Sequence, residues 1–461
     1  MEWIKNKRIY IVAFFIAIFI NVFSWHLPFF WDTILTSTIT QYFYENGFQN
    51  FIPPAQWDAG HPTLFYVYIT MFYKIFGRDL IVAHFAMLPF LFLLSYSFIL
   101  LMRQFSFSLE QQLFGIILLF SIPAVLTQST LISYDIVLLS LYLSALVAYF
   151  KNKKFYFMFI LIGMMSITLR GVFGAFALSI TIYFLEDRKI KNWFNWNLFL
   201  LPGFILFIAW SFFHFKNTGW YFSTNSTAWA NQRGIVDVNG FIKNILSIVR
   251  CYIDMGIIVL SVCFFWIFLK FKISNKLFII SFVPLIFFSI SFLPFTNPIN
   301  HRYFLIVYVL MLLPILLLLK EIKFVYKKII VFLLVLGHFQ IYPIPISNAW
   351  DCTLTYISYA KCMDDFYLHN SKYLKINSNK IGSVFPMVTS LKQTHLLEDT
   401  TQLVSVHAQS IDLIPYVLFS NIGNDFSDEQ IQQLKNWNVV SQYNSYPIEL
   451  ILYQNPKIPS K

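Results

Sequence analysis

Charge is what this sequence has little of. Only 12% of its 461 residues are Asp, Glu, Lys or Arg, against about 25% in a soluble globular chain. The deficit comes with 58% hydrophobic residues, a mean hydropathy of +0.63 and several apolar runs long enough to span a bilayer. Together these exclude a soluble enzyme and define a polytopic membrane protein. Cysteine is scarce as well, with Cys251, Cys263, Cys352 and Cys362. None sits in a CxxC, which excludes a zinc ribbon and a thioredoxin-like motif. Cys352 and Cys362 are close enough in sequence to form a disulfide if their segment faces an oxidising compartment. The sequence has no internal repeat, no low-complexity tract and no trace of the inverted repeats common in secondary transporters. No small-residue cleavage site follows the first apolar run, so that run reads as an anchor.

Aromatic residues are abundant. The 54 Phe, 26 Tyr and 12 Trp suit lipid-facing helices with interfacial belts. The net charge of +11 does not point to nucleic acid, because Lys and Arg mark the cytoplasmic ends of membrane helices. Spans are expected at 9–25, 79–102, 111–127, 132–150, 155–170, 171–186, 194–215, 252–270, 277–295, 303–319 and 329–345. The segments this map places inside hold 17 Lys and Arg, and the outer loops and their margins hold eight. That alternation predicts about 11 spans, a cytoplasmic N-terminus and an extracytoplasmic C-terminus. Residues Thr33–Tyr44 read as an interfacial helix of the first outer loop, and Pro62–Phe76 as a second one or a short re-entrant segment, being too short for a full span and ending at Lys74 and Arg78. The fold class is therefore mainly α, with a membrane domain at 1–346 and a small extracytoplasmic α/β domain at 347–461. In the latter, Ser427 is placed to cap the helix DEQIQQLKNW, and KIGSVFPMV and PIELILYQ read as strands.

Ionisable residues in such a chain are costly and are candidates for function. Asp32 lies just past the first span, where a solvated loop acid is the plain alternative. Asp58 and His61 flank WDAGHP, where turn chemistry is the plain alternative; two potential ligands are too few to indicate a metal. Asp135, Arg170 and Arg302 (the last beside His301 and Tyr303) each stand at the outer end of an apolar run. A buried carboxylate or guanidinium needs a partner. Arg250 and Asp254, four apart, are expected to pair on one helix. Acids near the mouth with arginines deeper suit an anionic, phosphate-bearing amphiphile, since arginine recognises phosphate in a planar, bidentate way.

The order of these motifs resembles the GT-C glycosyltransferases, in particular the bacterial aminoarabinose-transferase and protein O-mannosyltransferase-like group. An acid opens the first outer loop (Asp32). A His-Pro stretch leads into a juxtamembrane helix (GHPTLFYVYITMFYKIFG), and an Asp starts the fourth helix (Asp135 in SYDIVLLSLYL). A basic residue followed by Gly ends the fifth (Arg170-Gly171), and a late helix carries Arg302-Tyr303 and Pro314. Thr33 stands where the group often has Glu, and Thr63 where it has a second Pro. The resemblance implies transfer of a hexosyl or pentosyl unit from a polyprenyl-phosphate donor to a lipid, glycan or protein acceptor outside the plasma (inner) membrane. Asp32 is then the general base, with Asp58 the rival position. Arg170 and Arg302 hold the lipid phosphate, and Asp135, His61 and Tyr303 line the substrate site. No cofactor is implied and no DxD marks the first loop for a divalent metal. A lipid or glycan transporter, or flippase, is the reading from another class. An odd span count, an acid-bearing helical loop and a folded outer domain speak against it.

Overall fold

The computed structural model describes residues 2–48, 51–55, 57–221, 234–270, 275–321, 323–339, 350–374, 380–388, 402–407, 409–422 and 426–458. The protein is mainly helical, with one small sheet near the C-terminus. It divides into two compact units, one of Met1–His26 with Ile39–Gln340, the other of Leu27–Thr38 with Ile341–Lys461. The expected boundary at 346/347 lies outside the described residues.

The helices are α1 Glu2–Ser24, α2 Asp32–Asn46, α3 Leu64–Phe76, α4 Leu80–Gln104, α5 Leu109–Ser121, α6 Pro123–Thr130, α7 Tyr134–Phe150, α8 Lys154–Met165, α9 Leu169–Leu185, α10 Ile190–Asn197, α11 Leu201–Thr218, α12 Val238–Ile253, α13 Ile257–Lys270, α14 Asn275–Ser291, α15 Leu305–Glu321 and α16 Phe324–Leu336. By length and composition α4 can cross a bilayer alone. Three bent pairs qualify only together: α5 with α6 at 74°, α10 with α11 at 51°, and α12 with α13 at 88°. Shorter apolar helices are α1 from Ile9, α3, α7, α8, α9, α14 and the stretch His301–Leu317 that includes α15.

Local chemistry explains the breaks. The run expected at 111–127 is cut at Ile122, whose backbone is extended, because Pro123 takes the first position of α6 and disfavours helix in the residue before it. A second correction concerns the break expected between 170 and 171. It falls earlier, with α8 ending at Met165 and Thr168 capping α9, so Arg170 sits in the first turn of α9 rather than at the end of the helix before. A Cβ at Gly171 would lie 1.9 Å from the Met164 carbonyl oxygen, so only glycine permits this turn. At the elbow between α12 and α13, Met255 and Gly256 both have positive φ (51° and 73°), and Asp254 caps the helix instead of continuing it. Asp254 is thus the last, capping residue of the helix that carries Arg250, and its N–H donates to the Arg250 carbonyl at 2.9 Å.

Packing among the helices uses small hydroxyl residues and one apolar axle. Ser97 of α4 and Ser144 of α7 hydrogen-bond at 2.7 Å in a buried position, a contact that small side chains allow between close helices. α15 is apolar on every face and buried from Leu305 to Leu316, as an all-round hydrophobic helix must be. Its Pro314 supplies no N–H to the Leu310 carbonyl. Ser281 of α14 donates to that carbonyl at 2.9 Å, so this acceptor is satisfied.

The second unit is a small α/β assembly. Its strands are β1 Lys380–Ser383, β2 Gln402–Ser405, β3 Tyr416–Ser420, β4 Asn438–Ser445 and β5 Ile448–Gln454, in the order β2-β1-β3-β5-β4. β1 pairs in parallel with β2 and β3; β5 pairs antiparallel with β3 and β4. Helix α17, Tyr356–Leu374, packs on β4 and β5. Helix α18, Asp428–Leu434, opens with a capping box: Ser427 Oγ accepts from the Gln430 N–H at 3.2 Å and Gln430 Oε1 accepts from the Ser427 N–H at 3.0 Å. Cys352 and Cys362 are both buried free thiols, so the disulfide considered above is not formed. Each thiol turns to its own acceptor, Cys352 to Asp351 Oδ1 and Cys362 to the carbonyls of Tyr443 and Ile448.

Close approach at the elbow generates a stability test. A Cβ at Gly337 would lie 2.2 Å from the Met255 carbonyl oxygen, whereas one at Gly163 in α8 meets only Leu141 at 3.8 Å. Gly337→Ala is expected to destabilise by about 1–3 kcal/mol, as overpacking does. Gly163→Ala is expected to be neutral or to gain up to about 1 kcal/mol from helix propensity. Thermal unfolding in detergent compares the two, and equal midpoints would refute the packing argument.

Candidate functional site

Three element starts in the first unit bring their polar side chains together. Asp135 stands in the first turn of α7. Ser133 caps that helix, accepting from the Asp135 N–H at 3.1 Å and donating to Gln128 Oε1 at 2.5 Å. Arg170 stands in the first turn of α9 behind its Thr168 cap. Arg302 lies in the 3-10 turn His301–Phe304 that feeds α15. Arg170 Nη1 is 2.5 Å from Asp135 Oδ1, and Arg302 Nε is 4.0 Å from Asp135 Oδ2, with side-chain exposures of 13%, 7% and 4% for Arg170, Arg302 and Asp135.

Aromatic faces complete the pocket wall. The Arg170 guanidinium lies over the Tyr134 ring at 5.1 Å and over the Tyr303 ring at 4.5 Å, and Arg302 lies over Tyr303 at 5.4 Å. Tyr303 is held by stacking on Phe292 at 5.3 Å and by Asn297, which donates to its hydroxyl at 3.3 Å. His61 meets the Tyr134 ring edge-on at 6.2 Å. Five of the seven residues singled out in the sequence (Asp135, Arg170, Arg302, His61 and Tyr303) thus gather in one place.

Two guanidiniums approach the one carboxylate of Asp135 in this cluster. A cation in the first turn of a helix also opposes the helix dipole, which favours anions there. Stacking on tyrosine faces offsets part of the cost. The arrangement brings planar N–H donors and helix N-termini to one place, which is the chemistry of a phosphate or other oxyanion site.

Asp58 does not join this cluster, nor does it pair with His61. Its Oδ2 lies 2.7 Å from His214 Nε2, its Oδ1 accepts from the Gly60 N–H at 2.7 Å, and both Asp58 and His214 side chains are 1% exposed. His214, near the end of α11, was missed in the sequence although it satisfies the rule that flagged Asp135: a lone ionisable residue in an apolar run, here AWSFFHF. Tyr134 was missed too, with nothing to distinguish it among 26 Tyr. Asp254 Oδ2 approaches the buried His301 Nε2 at 3.9 Å.

Asp32 is placed differently. It belongs to the second unit, where it is half-buried in the first turn of α2. Thr33 fixes that turn, its Oγ both accepting from the Phe30 N–H and donating to the Phe30 carbonyl at 2.8 Å. Phe30 packs on Tyr356 and Tyr359 with ring centroids 5.4 and 5.3 Å away, and Trp31 packs on Phe385 at 5.2 Å. Among the described residues no group of three or more His, Cys, Asp or Glu is placed to hold a metal ion.

A many-helix membrane protein with a buried cluster of two arginines, one aspartate and tyrosine rings at the starts of three elements is the class these features define. No protein-family model and no curated protein matches the sequence. Solved structures do match. ArnT from Cupriavidus metallidurans bound to undecaprenyl phosphate superposes with a TM-score of 0.57 at 11% identity, over 96% of this chain and 97% of that one. Its apo form gives 0.53 at the same identity and coverage. The arabinofuranosyltransferase AftD from Mycobacteria gives 0.51 at 9% identity, over 97% of this chain but 40% of AftD. The likeness to GT-C membrane glycosyltransferases drawn from the motifs is therefore a likeness of fold along nearly the whole chain.

The buried pair generates its own test. Asp135→Ala is expected to cost about 3–5 kcal/mol, because Arg170 keeps its charge in a buried site without its partner. Asp135→Leu combined with Arg170→Met is expected to recover most of that loss. Unfolding midpoints followed by tryptophan fluorescence would show it; an Asp135→Ala protein as stable as the parent refutes the pairing argument.

Proposed function

We propose that this protein is a membrane glycosyltransferase that transfers a hexosyl or pentosyl unit from a polyprenyl-phosphate donor to an acceptor hydroxyl on the outer side of the plasma membrane. The single observation that carries the reading is the convergence of two arginines, Arg170 and Arg302, on Asp135 at the buried starts of three elements. The likeness of fold to ArnT, which was solved with undecaprenyl phosphate bound, supports a lipid phosphate as the anion. An apolar cavity of about 540 Å³ lined by Tyr252, Ile253, Val262, Phe265 and Leu285, among others, supports a lipid tail. Tyr252 packs on Phe304 at 5.4 Å, two residues from Arg302. The topology that goes with this reading has about 11 spans, the N-terminus inside, and 347–461 as an outer domain, in keeping with the Lys and Arg alternation.

In the proposed mechanism the acceptor oxygen attacks the anomeric carbon of the donor sugar. The bond from that carbon to the phosphate oxygen breaks, and the polyprenyl phosphate leaves with the electron pair. Arg170 and Arg302 stabilise the charge it gains. Asp32 takes the acceptor proton. Asp58 is the poorer base, because one of its oxygens is engaged by His214 and the other by a backbone N–H. Asp135 and the Tyr134 and Tyr303 rings keep the arginines in register.

Purified protein in nanodiscs, given polyprenyl-phosphate sugars, is expected to release polyprenyl phosphate; no release with any donor overturns the reading. Arg170→Ala and Arg302→Ala are each expected to weaken donor binding by roughly 1.5–3 kcal/mol, the scale of a hydrogen bond to a charged group, with Arg170→Lys weakened less. Two Ala variants that bind donor normally refute the phosphate assignment. Asp32→Asn is expected to fold and bind donor while turnover falls by about 10²–10⁴. A small loss there is the outcome that removes Asp32 as the base.

A further inference from the structure

The loop that carries His61 is tied down on both sides. On the C-terminal side the Leu64 N–H donates to the Ser166 carbonyl at 3.2 Å, two residues before the Thr168 cap of α9. Thr63 Oγ donates to the Phe51 carbonyl at 2.9 Å and closes the loop's base. On the N-terminal side the tie is the Asp58–His214 contact. His214 Nδ1 lies 2.9 Å from the Trp220 carbonyl oxygen and 3.3 Å from the Thr218 hydroxyl, and Nε2 lies 2.7 Å from Asp58 Oδ2. Asp58 then spends its other oxygen on Gly60, whose φ of +64° makes the turn that aims the next residue, His61. Nothing in the mechanism above uses His214, and at 1% exposure it is closed off from solvent.

We propose that His214 is a positioning residue: through Asp58 and the Gly60 turn it sets His61 against Tyr134, and so sets the aromatic face on which the Arg170 guanidinium rests. The role rests on the reading of the arginine pocket as the donor-phosphate site. A buried hydrogen-bonded pair serves this purpose better than an apolar contact, because it bonds at one distance and in one direction only.

The test is a double-mutant cycle on the full-length protein in nanodiscs, with undecaprenyl phosphate as the probe. His214→Ala and His61→Ala are each expected to raise its Kd by about tenfold, and the double variant to be no worse than either single one, the coupling expected of groups acting in series. Asp58→Asn with His214→Gln restores an uncharged bond across the same gap and is expected to return Kd to within about twofold of the parent, since coupled partners can compensate. Losses that multiply, or a His214→Ala protein with unchanged Kd, overturn the proposal. Should the parent itself fail to bind the probe, the donor reading falls alone. Hydrogen exchange over 57–63 then decides the clamp: faster exchange in His214→Ala keeps it, and unchanged exchange overturns it.

Discussion

The interaction on which the first unit depends is the 2.5 Å contact between Asp135 and Arg170. Each residue alone would be intolerable where it stands. A buried carboxylate or guanidinium costs several kcal/mol, and the arginine opposes the dipole of its own helix besides. Bringing α7 and α9 together N-terminus to N-terminus solves both problems for that pair. The Arg302 guanidinium stands 4.0 Å from the same carboxylate, so one acid anchors the starts of three elements.

The surrounding helices are arranged so that this pocket can exist. The tight α8–α9 turn, possible because Gly171 has no Cβ, brings Arg170 round to the start of α9. Pro314 would leave an orphan carbonyl in the buried α15, and Ser281 supplies the missing donor. Stacked rings fix Tyr303 under both arginines. Each device satisfies a backbone or charged group inside a region with little water to do it. Hydroxyl side chains do much of this, which accounts for the buried Ser and Thr in an otherwise apolar interior.

Asp58 illustrates how a functional candidate can resolve into a support. The sequence showed an acid and a histidine three residues apart and suggested a joint role. In the fold the acid turns away to a histidine 156 positions later. The histidine beside it points instead toward the arginine pocket by way of Tyr134. The two are linked, but as anchor and cargo of one turn.

Much of this was legible in the sequence because the bilayer constrains it so strongly. Apolar runs reflect the cost of burying polar groups in a bilayer, and the Ser427 cap follows from backbone chemistry; the break at Pro123 falls inside what hydropathy reads as one run. The candidate residues Asp135, Arg170 and Arg302 were marked by the same cost of burying charge. What the sequence could not decide was who meets whom. Whether Arg170 ends one helix or begins the next, whether Asp58 pairs with His61 or His214, and which of 26 tyrosines stack on a guanidinium depend on contacts between segments far apart in the chain. Local propensity and hydropathy are properties of neighbours in sequence. Pairing of buried charges is settled only when tertiary packing brings the helix ends together, because that is when their desolvation must be compensated.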